Sequence, residues 1–273
     1  MERGEPPVRF RLTPPFAALD LRPGQLVLFG GPPGGGKTAA LMQMGIDLLR
    51  LNDAPRLLVA NVEMSPALLL ERVASRLSAV PLTAIKNRTL TPDELGRVKA
   101  AVAALEPVAN RLAFLSAPYS LEHVAAAGTA FGADVLILDY IQRFGDGSKP
   151  QREQLETAVT VLRRFCDAGA AVLVAAAVTR QKGASGNTYQ GLNLASFRGS
   201  SELEFGCDAA YILVADEAGG VAFNCEKNRY GAVADIPTAF DPITQTFTPA
   251  PAGLDAFDAA APAPPRGGKR KGG

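Results

Sequence analysis

Apolar runs of strand length alternate along this chain with segments whose apolar residues recur every three or four positions. That alternation predicts an α/β fold with a mostly parallel sheet flanked by helices. Gln25 to Phe29 reads as a first strand, followed by a glycine-rich turn and a helix carrying Leu41, Met44, Leu48 and Leu49 on one face. Leu57 to Val62 reads as a second strand. Ser65 and Pro66 then supply an N-cap and a first-turn proline for a helix through Leu77. Thr91-Pro92-Asp93-Glu94 spells a capping box, which opens a helix to about Leu105. Leu112 to Leu115 predicts strand and Ser120 to Ala130 helix. Val135 to Leu138 is a continuous apolar run of the kind that fills a central parallel strand. Leu155, Val159, Leu162 and Cys166 recur at helical spacing up to a stop at Gly169, and Ala171 to Ala176 is the next buried strand.

From Arg180 to Ser200 the periodicity gives way to Gly, Ser, Asn and Gln, a long loop of the kind that usually carries function. Strands resume at Tyr211 to Val214 and Val221 to Asn224, and a last β segment falls between Asp235 and Phe247. Beyond Pro249 the chain turns to Pro, Ala and Gly and ends in a basic tip, a composition that cannot bury a core. The expected organisation is an N-terminal arm (1–14), one α/β domain (15–248) and a disordered tail (249–273), with no internal repeat.

Composition narrows the possibilities. With 47% hydrophobic residues in 273, the chain can build a sizeable core in one domain. A net charge of +1 means that any contact with nucleic acid or an anionic membrane must come from a local patch. Three cysteines (Cys166, Cys207, Cys225) and one histidine (His123) have no metal-type spacing, so packing or solvated roles are expected for them. The chain shows neither a secretory leader pattern nor an apolar run of membrane-spanning length, and the expectation is a cytoplasmic protein without a membrane partner.

Gly31-Pro32-Pro33-Gly34-Gly35-Gly36-Lys37-Thr38 satisfies the G-x-x-x-x-G-K-[ST] pattern in full, between an apolar strand and an amphipathic helix. Glycines let successive backbone N–H groups turn toward phosphate oxygens, and the helix beyond them adds its positive N-terminal end. These eight residues and the adjoining Ala39 are the candidate nucleotide-binding set, with ATP as the ligand. Lys37 is expected on the β and γ phosphates and the Thr38 hydroxyl on Mg2+.

Val135-Leu136-Ile137-Leu138-Asp139 is an apolar strand ending in a carboxylate. Ligands of open parallel sheets lie off the carboxyl ends of the strands, so Asp139 is the second candidate magnesium residue. Glu63, in Asn61-Val62-Glu63-Met64-Ser65, occupies the equivalent end of the second strand. A carboxylate there can polarise an attacking water; a solvated loop glutamate is the alternative that spacing leaves open.

Taken in order, these motifs resemble the RecA-like motor domain of DnaB-type replicative DNA helicases over roughly residues 15 to 248. The resemblance rests on the Gly31–Thr38 loop, the Val62-Glu63-Met64 turn before a helix, Asp139-Tyr140-Ile141-Gln142, and Lys227-Asn228-Arg229-Tyr230-Gly231. It implies that Glu63 is the catalytic base and that Lys227 and Arg229 act in trans on a neighbour's γ-phosphate. It also implies single-stranded DNA as substrate, a homo-oligomer of the hexameric-ring type, and DNA-facing residues in the Arg180 to Ser200 loop. Arg180, Lys182 and Arg198 are the candidates to meet phosphates, and Tyr189 and Phe197 to stack on bases or pack against the domain.

Two departures from the pattern are visible. The family's N-terminal helical domain and linker helix are not in this sequence. Where the family has a Ser-Gln pair after its fifth strand, this chain reads Ala176-Ala177, and alanine cannot hydrogen-bond a γ-phosphate; Thr179 and Gln181 are the nearby substitutes. These departures favour a non-motor reading, but the Asp139–Gln142 and Lys227–Arg229 segments make an ATP-driven helicase motor the leading expectation. The alternative is a non-motor RecA-like ATPase that switches a partner-binding or recombination assembly. A small-molecule kinase fits poorly, because no lid or acceptor-site basic cluster is seen.

Overall fold

In a computed structural model of the chain, which describes residues 8–144, 150–179, 181–183, 186–188, 191–197, 200–215 and 220–251, the alternation becomes a sheet with helices on both faces. In chain order the first elements are β1 (Leu26–Gly30), α1 (Lys37–Leu51), β2 (Leu57–Asn61), α2 (Pro66–Ser78), α3 (Leu82–Asn87) and α4 (Pro92–Ala103). Then come β3 (Leu112–Phe114), α5 (Leu121–Phe131), β4 (Val135–Asp139), α6 (Gln151–Asp167) and β5 (Ala171–Ala175). A short hairpin, β6 (Gln181–Gly183) and β7 (Gly186–Thr188), precedes α7 (Ser200–Gly206). The chain closes with β8 (Ala209–Ala215), β9 (Val221–Asn228), β10 (Ile236–Asp241) and β11 (Thr246–Pro249).

The caps read from sequence form as written. Ser65 Oγ accepts from Leu68 N at 3.3 Å, and Thr91 and Glu94 exchange reciprocal bonds, with Thr91 N donating to Glu94 Oε2 at 2.8 Å. Each such cap satisfies N–H groups that the first helical turn leaves without partners.

The sheet order is β11-β10-β9-β8-β1-β5-β4-β2-β3, parallel from β8 to β3 and antiparallel from β8 to β11. Alternate strand residues face opposite layers. Val27, Phe29, Val59, Ile137 and Leu173 pack with α1 and α2, while Leu28, Leu58, Leu136, Val172 and Ala210 pack with α5, α6 and α7. Both faces are dry, which is why these strands read as unbroken apolar runs. Each fully buried leucine among them stabilises the fold by roughly 2 kcal/mol relative to exposure.

Two features differ from the sequence expectation. The single expected segment over 235–247 is a hairpin, because Asp241 accepts from Ile243 N (2.8 Å) and Thr244 Oγ1 (2.6 Å) and Gln245 adopts a positive φ of 59°. The aperiodic stretch after Arg180 contains β6, β7 and the start of α7. The N-terminal arm is packed where it is described: Leu12 is buried, Phe10 N donates to Leu21 O, and Thr13 bonds the buried Asp47, which also pairs with Arg76 at 2.7 Å. The tail from residue 252 lies outside the described residues. Among the described residues no helix is long and apolar enough to cross a membrane.

Candidate nucleotide-binding site

Four adjacent parallel strands, β1, β5, β4 and β2, end side by side, with Asn61 level with Asp139 and Asp139 level with Ala175. The loops leaving these strand ends therefore meet at one place. A cavity of about 490 Å³ opens there, lined by the Gly31–Ala39 loop, Glu63, Asp139, Tyr140 and Ala177.

The loop from Gly31 to Gly36 turns directly into α1, whose N-cap is Gly36 at φ 99°. A side chain at Gly36 would meet both this strained φ and the Phe247 ring at 2.9 Å. Lys37 Nζ donates to the carbonyls of Gly31 (2.8 Å) and Pro32 (2.9 Å), so the ammonium holds its own loop in a cradle. Burial lowers the Lys37 pKa, and the charges of Asp139 and Glu63 oppose that shift.

Thr38 Oγ1 donates to Asp139 Oδ2 at 2.5 Å, and Asn61 Nδ2 donates to the same oxygen at 2.9 Å. Burial raises the Asp139 pKa; the Thr38 bond opposes this, Glu63 adds to it, and Lys37 and Asn61 oppose it. Asp139 is thus a desolvated carboxylate whose protein partners do not fully compensate it, which suits a cation. No cluster of three His, Cys, Asp or Glu residues able to hold a metal occurs among the described residues. The donor set fits Mg2+, which protein sites commonly hold through one or two side-chain oxygens together with substrate phosphates.

Asn61 was not singled out from sequence. It is 4% exposed, and its Oδ1 accepts from Glu63 N (2.9 Å) and Met64 N (2.8 Å) while its Nδ2 bonds Asp139. One amide therefore fixes the Glu63 turn relative to Asp139. A polar residue at the end of a buried strand was the available signal. Arg72 was also missed. From α2 it reaches the cavity, bonds Gln245 in the β10–β11 turn, and leaves its buried Nε without a partner. Burial lowers its pKa, opposed by Asp139. Phe240, stacked on Phe247 at 4.4 Å, adds an aromatic face to the same cavity.

The remaining expected positions are more scattered. Ala177 lines the cavity with a methyl group, and its N–H donates to Gln142 Oε1 at 3.0 Å, so Asp139-Tyr140-Ile141-Gln142 grips the segment after β5. Thr179 lies outside the cavity lining; its backbone N–H donates to Ser196 O. Phe197 is 2% exposed and packs beneath Gly30, where an added Cβ would meet its ring at 2.7 Å; it is a core residue, not a base-stacking one. Arg180, Arg198 and Tyr189 lie outside the described residues, and Lys182 and Gln181 fall in β6.

Lys227 and Arg229 sit elsewhere. β9 runs on past the expected end at Asn224 to Asn228, so Lys227 is in a strand. A bulge between the Ala210–Lys227 and Tyr211–Cys225 pairs inserts Glu226 and turns Lys227 onto the α7 face, where Nζ donates to Glu204 O at 2.6 Å. Because β9 is antiparallel to β8, its end lies level with the start of β1, through the pairs Val27–Ala209 and Ala209–Asn228. Arg229 is therefore separated from its own Gly31 by the length of β1, on the order of 13 Å along the sheet.

His123 bonds the Pro118 carbonyl, and all three cysteines are buried and free. Burial pushes the Cys166 thiol up to about 12 and Cys207 to about 11, so neither is a nucleophile near neutrality.

The fold has counterparts among known proteins. Two curated relatives, each named a probable plasmid replicative DNA helicase, from Chlamydia trachomatis serovar L2 and from Chlamydia trachomatis, are 24% identical over 240 residues. The match covers 84% of this chain and 51% of each relative, so the chain spans about half their length. One solved ATPase domain superposes with a TM-score of 0.75 at 16% identity, covering 84% of this chain and 86% of that one. A DnaB-like replicative helicase, solved in a study of its interactions with primase, gives 0.74 at 16% identity, covering 84% and 58%. The family model described as the DnaB-like helicase C terminal domain matches residues 17–249, and the chain belongs to that family.

Proposed function

We propose that this chain is the ATP-hydrolysing motor domain of a DnaB-like replicative helicase, working on single-stranded DNA within a ring of like subunits. The observation that carries the reading is the convergence of Lys37, Thr38, Asp139 and Glu63 on one cavity while Arg229 stands at the opposite end of the sheet. Such a site has its base and phosphate cradle in one subunit and takes its finger from the next.

The Gly31–Gly36 amides and Lys37 bind the phosphates, and Arg72 offers a second cation from α2. Phe240 offers a flat apolar face for a base. Thr38 and Asp139 would hold Mg2+, which would offset the negative charge of the phosphates. Glu63, held by Asn61, accepts the proton of a water that attacks the γ-phosphorus as the bond to the bridging oxygen breaks. Lys227 and Arg229 of the adjacent subunit stabilise the charge that develops. Beyond the Gln142–Ala177 contact Val178 pairs with Phe197, whose ring lies beneath Gly30, so the described residues at the two ends of the 180–200 loop share neighbours with the phosphate site.

Ala177 favours a second reading, a RecA-like ATPase whose nucleotide state switches a partner without driving movement, because a methyl cannot report on a γ-phosphate. ATPase rates with and without single-stranded DNA, and then strand displacement, on wild type and Lys37→Ala decide between them. The motor reading expects DNA-stimulated turnover and unwinding, both lost in Lys37→Ala. Stimulation without unwinding selects the second reading, and no stimulation removes DNA from both.

A further inference from the structure

We infer that Asp208 is the positioning residue for Arg229, fixing the guanidinium at the surface that meets a neighbour's nucleotide. The inference rests on the trans role given to Arg229 above.

Asp208 stands just before β8 with its side chain 1% exposed, and the nucleotide chemistry makes no direct use of it. Its contacts join three parts of the fold. Oδ2 accepts from Leu26 N (2.9 Å) and from Arg163 Nη1 on α6 (2.5 Å), while Oδ1 accepts from Arg229 Nη1 (3.3 Å). The backbone repeats the pattern: Asp208 N donates to Leu26 O and Arg229 N to Asp208 O, each at 2.8 Å. One residue thus ties the foot of β1, the strand that ends at the P-loop, to both the backbone and the guanidinium of Arg229.

The charge balance of this cluster suits an incoming anion. Among the described residues a single buried carboxylate faces two guanidiniums and the Lys227 ammonium bonds a carbonyl, so positive charge is left in excess even with Asp167 near Arg163. Arg229 is 46% exposed and spends Nη2 on Phe205 O at 2.8 Å and Nη1 on Asp208. A guanidinium carries five N–H donors, so three remain for phosphate oxygens. A buried ion pair is poor evidence of stability by itself. A carboxylate that instead fixes the rotamer of a half-exposed arginine limits the orientational freedom that would otherwise be lost when the transition state forms.

The test measures kcat and nucleotide affinity of the full chain for wild type, Arg229→Ala, Asp208→Asn and the double variant. Asparagine keeps an acceptor for Leu26 N–H but removes the charge that holds Arg229. Arg229→Ala is expected to lose about 10³-fold in kcat. Asp208→Asn is expected to lose roughly tenfold with nucleotide affinity unchanged, and no more in the Arg229→Ala background than Arg229→Ala alone. Asp208→Asn subunits mixed with Glu63→Ala subunits should regain turnover, since each supplies what the other lacks. A wild-type kcat for Asp208→Asn, or a loss that multiplies with that of Arg229→Ala, overturns the inference and leaves the trans finger standing. A wild-type kcat for Arg229→Ala overturns both. If Asp208→Asn fails to fold, Asp208→Asn/Arg163→Met removes the buried acid together with its cation and is read by the same criteria.

Discussion

At the scale of single residues, Asp139 shows a functional group held against the preference of its surroundings. Its burial raises the carboxyl pKa. A raised folded-state pKa means that the folded protein releases this proton less readily than the unfolded chain. Stability is therefore lost as pH climbs from the unfolded value of 3.8 through the folded one, and the loss persists at neutrality. Asp139→Asn, isosteric and neutral, is expected to abolish Mg2+-dependent ATP hydrolysis while raising unfolding stability by roughly 1 kcal/mol. Urea unfolding at pH 7 beside an ATPase assay checks both halves, and a destabilised variant contradicts the account. Asp139 was legible in sequence because it ends an apolar run, whereas Glu63 was singled out as the base by the family resemblance, since spacing alone left a solvated loop glutamate open. Asn61 and Arg72 were not legible, since their roles depend on contacts with residues 78 and 173 positions away.

At the scale of elements, α7 shows how a short helix can carry consequences. Its carbonyls at Glu204 and Phe205 hold Lys227 and Arg229. Gly206 lets it lie against α6, where an added Cβ would come within 2.3 Å of Val159 Cγ1. Gly206→Ala should therefore push the two helices apart, costing about 1–3 kcal/mol. It should also lower kcat with nucleotide affinity retained, because the lysine and arginine lose their carbonyl partners while the P-loop is untouched. Thermal unfolding and steady-state kinetics read the two effects; an unchanged kcat would separate α7 from the finger. Sequence missed α3 and α7, of six and seven residues, because helices that short complete too few turns to show a period. It stopped β9 at Asn224 because the apolar pattern gives way there to charged and polar residues. The pairing with β8 carries them on as strand.

At the scale of the whole molecule, the P-loop and Arg229 occupy opposite ends of one sheet, which is the arrangement a head-to-tail ring needs. Glu63→Ala and Arg229→Ala proteins, each inactive alone, are expected to regain ATPase activity when mixed, since some interfaces then pair an intact base with an intact finger. Titration of one variant into the other measures this, and activity that never exceeds the sum of the two rules out a shared site. By itself the sequence determined what local chemistry dictates: the alternation of strand and helix, the caps at Ser65 and Thr91, the phosphate loop and the carboxylates at strand ends. Only the tertiary structure decided which of these meet. Strand order brings Asp139 and Glu63 to Lys37, the antiparallel pairing of β9 with β8 carries Arg229 away from them, and packing beneath Gly30 makes Phe197 core. Strand order and register arise from contacts between residues far apart in the chain, which no local pattern of polar and apolar positions encodes.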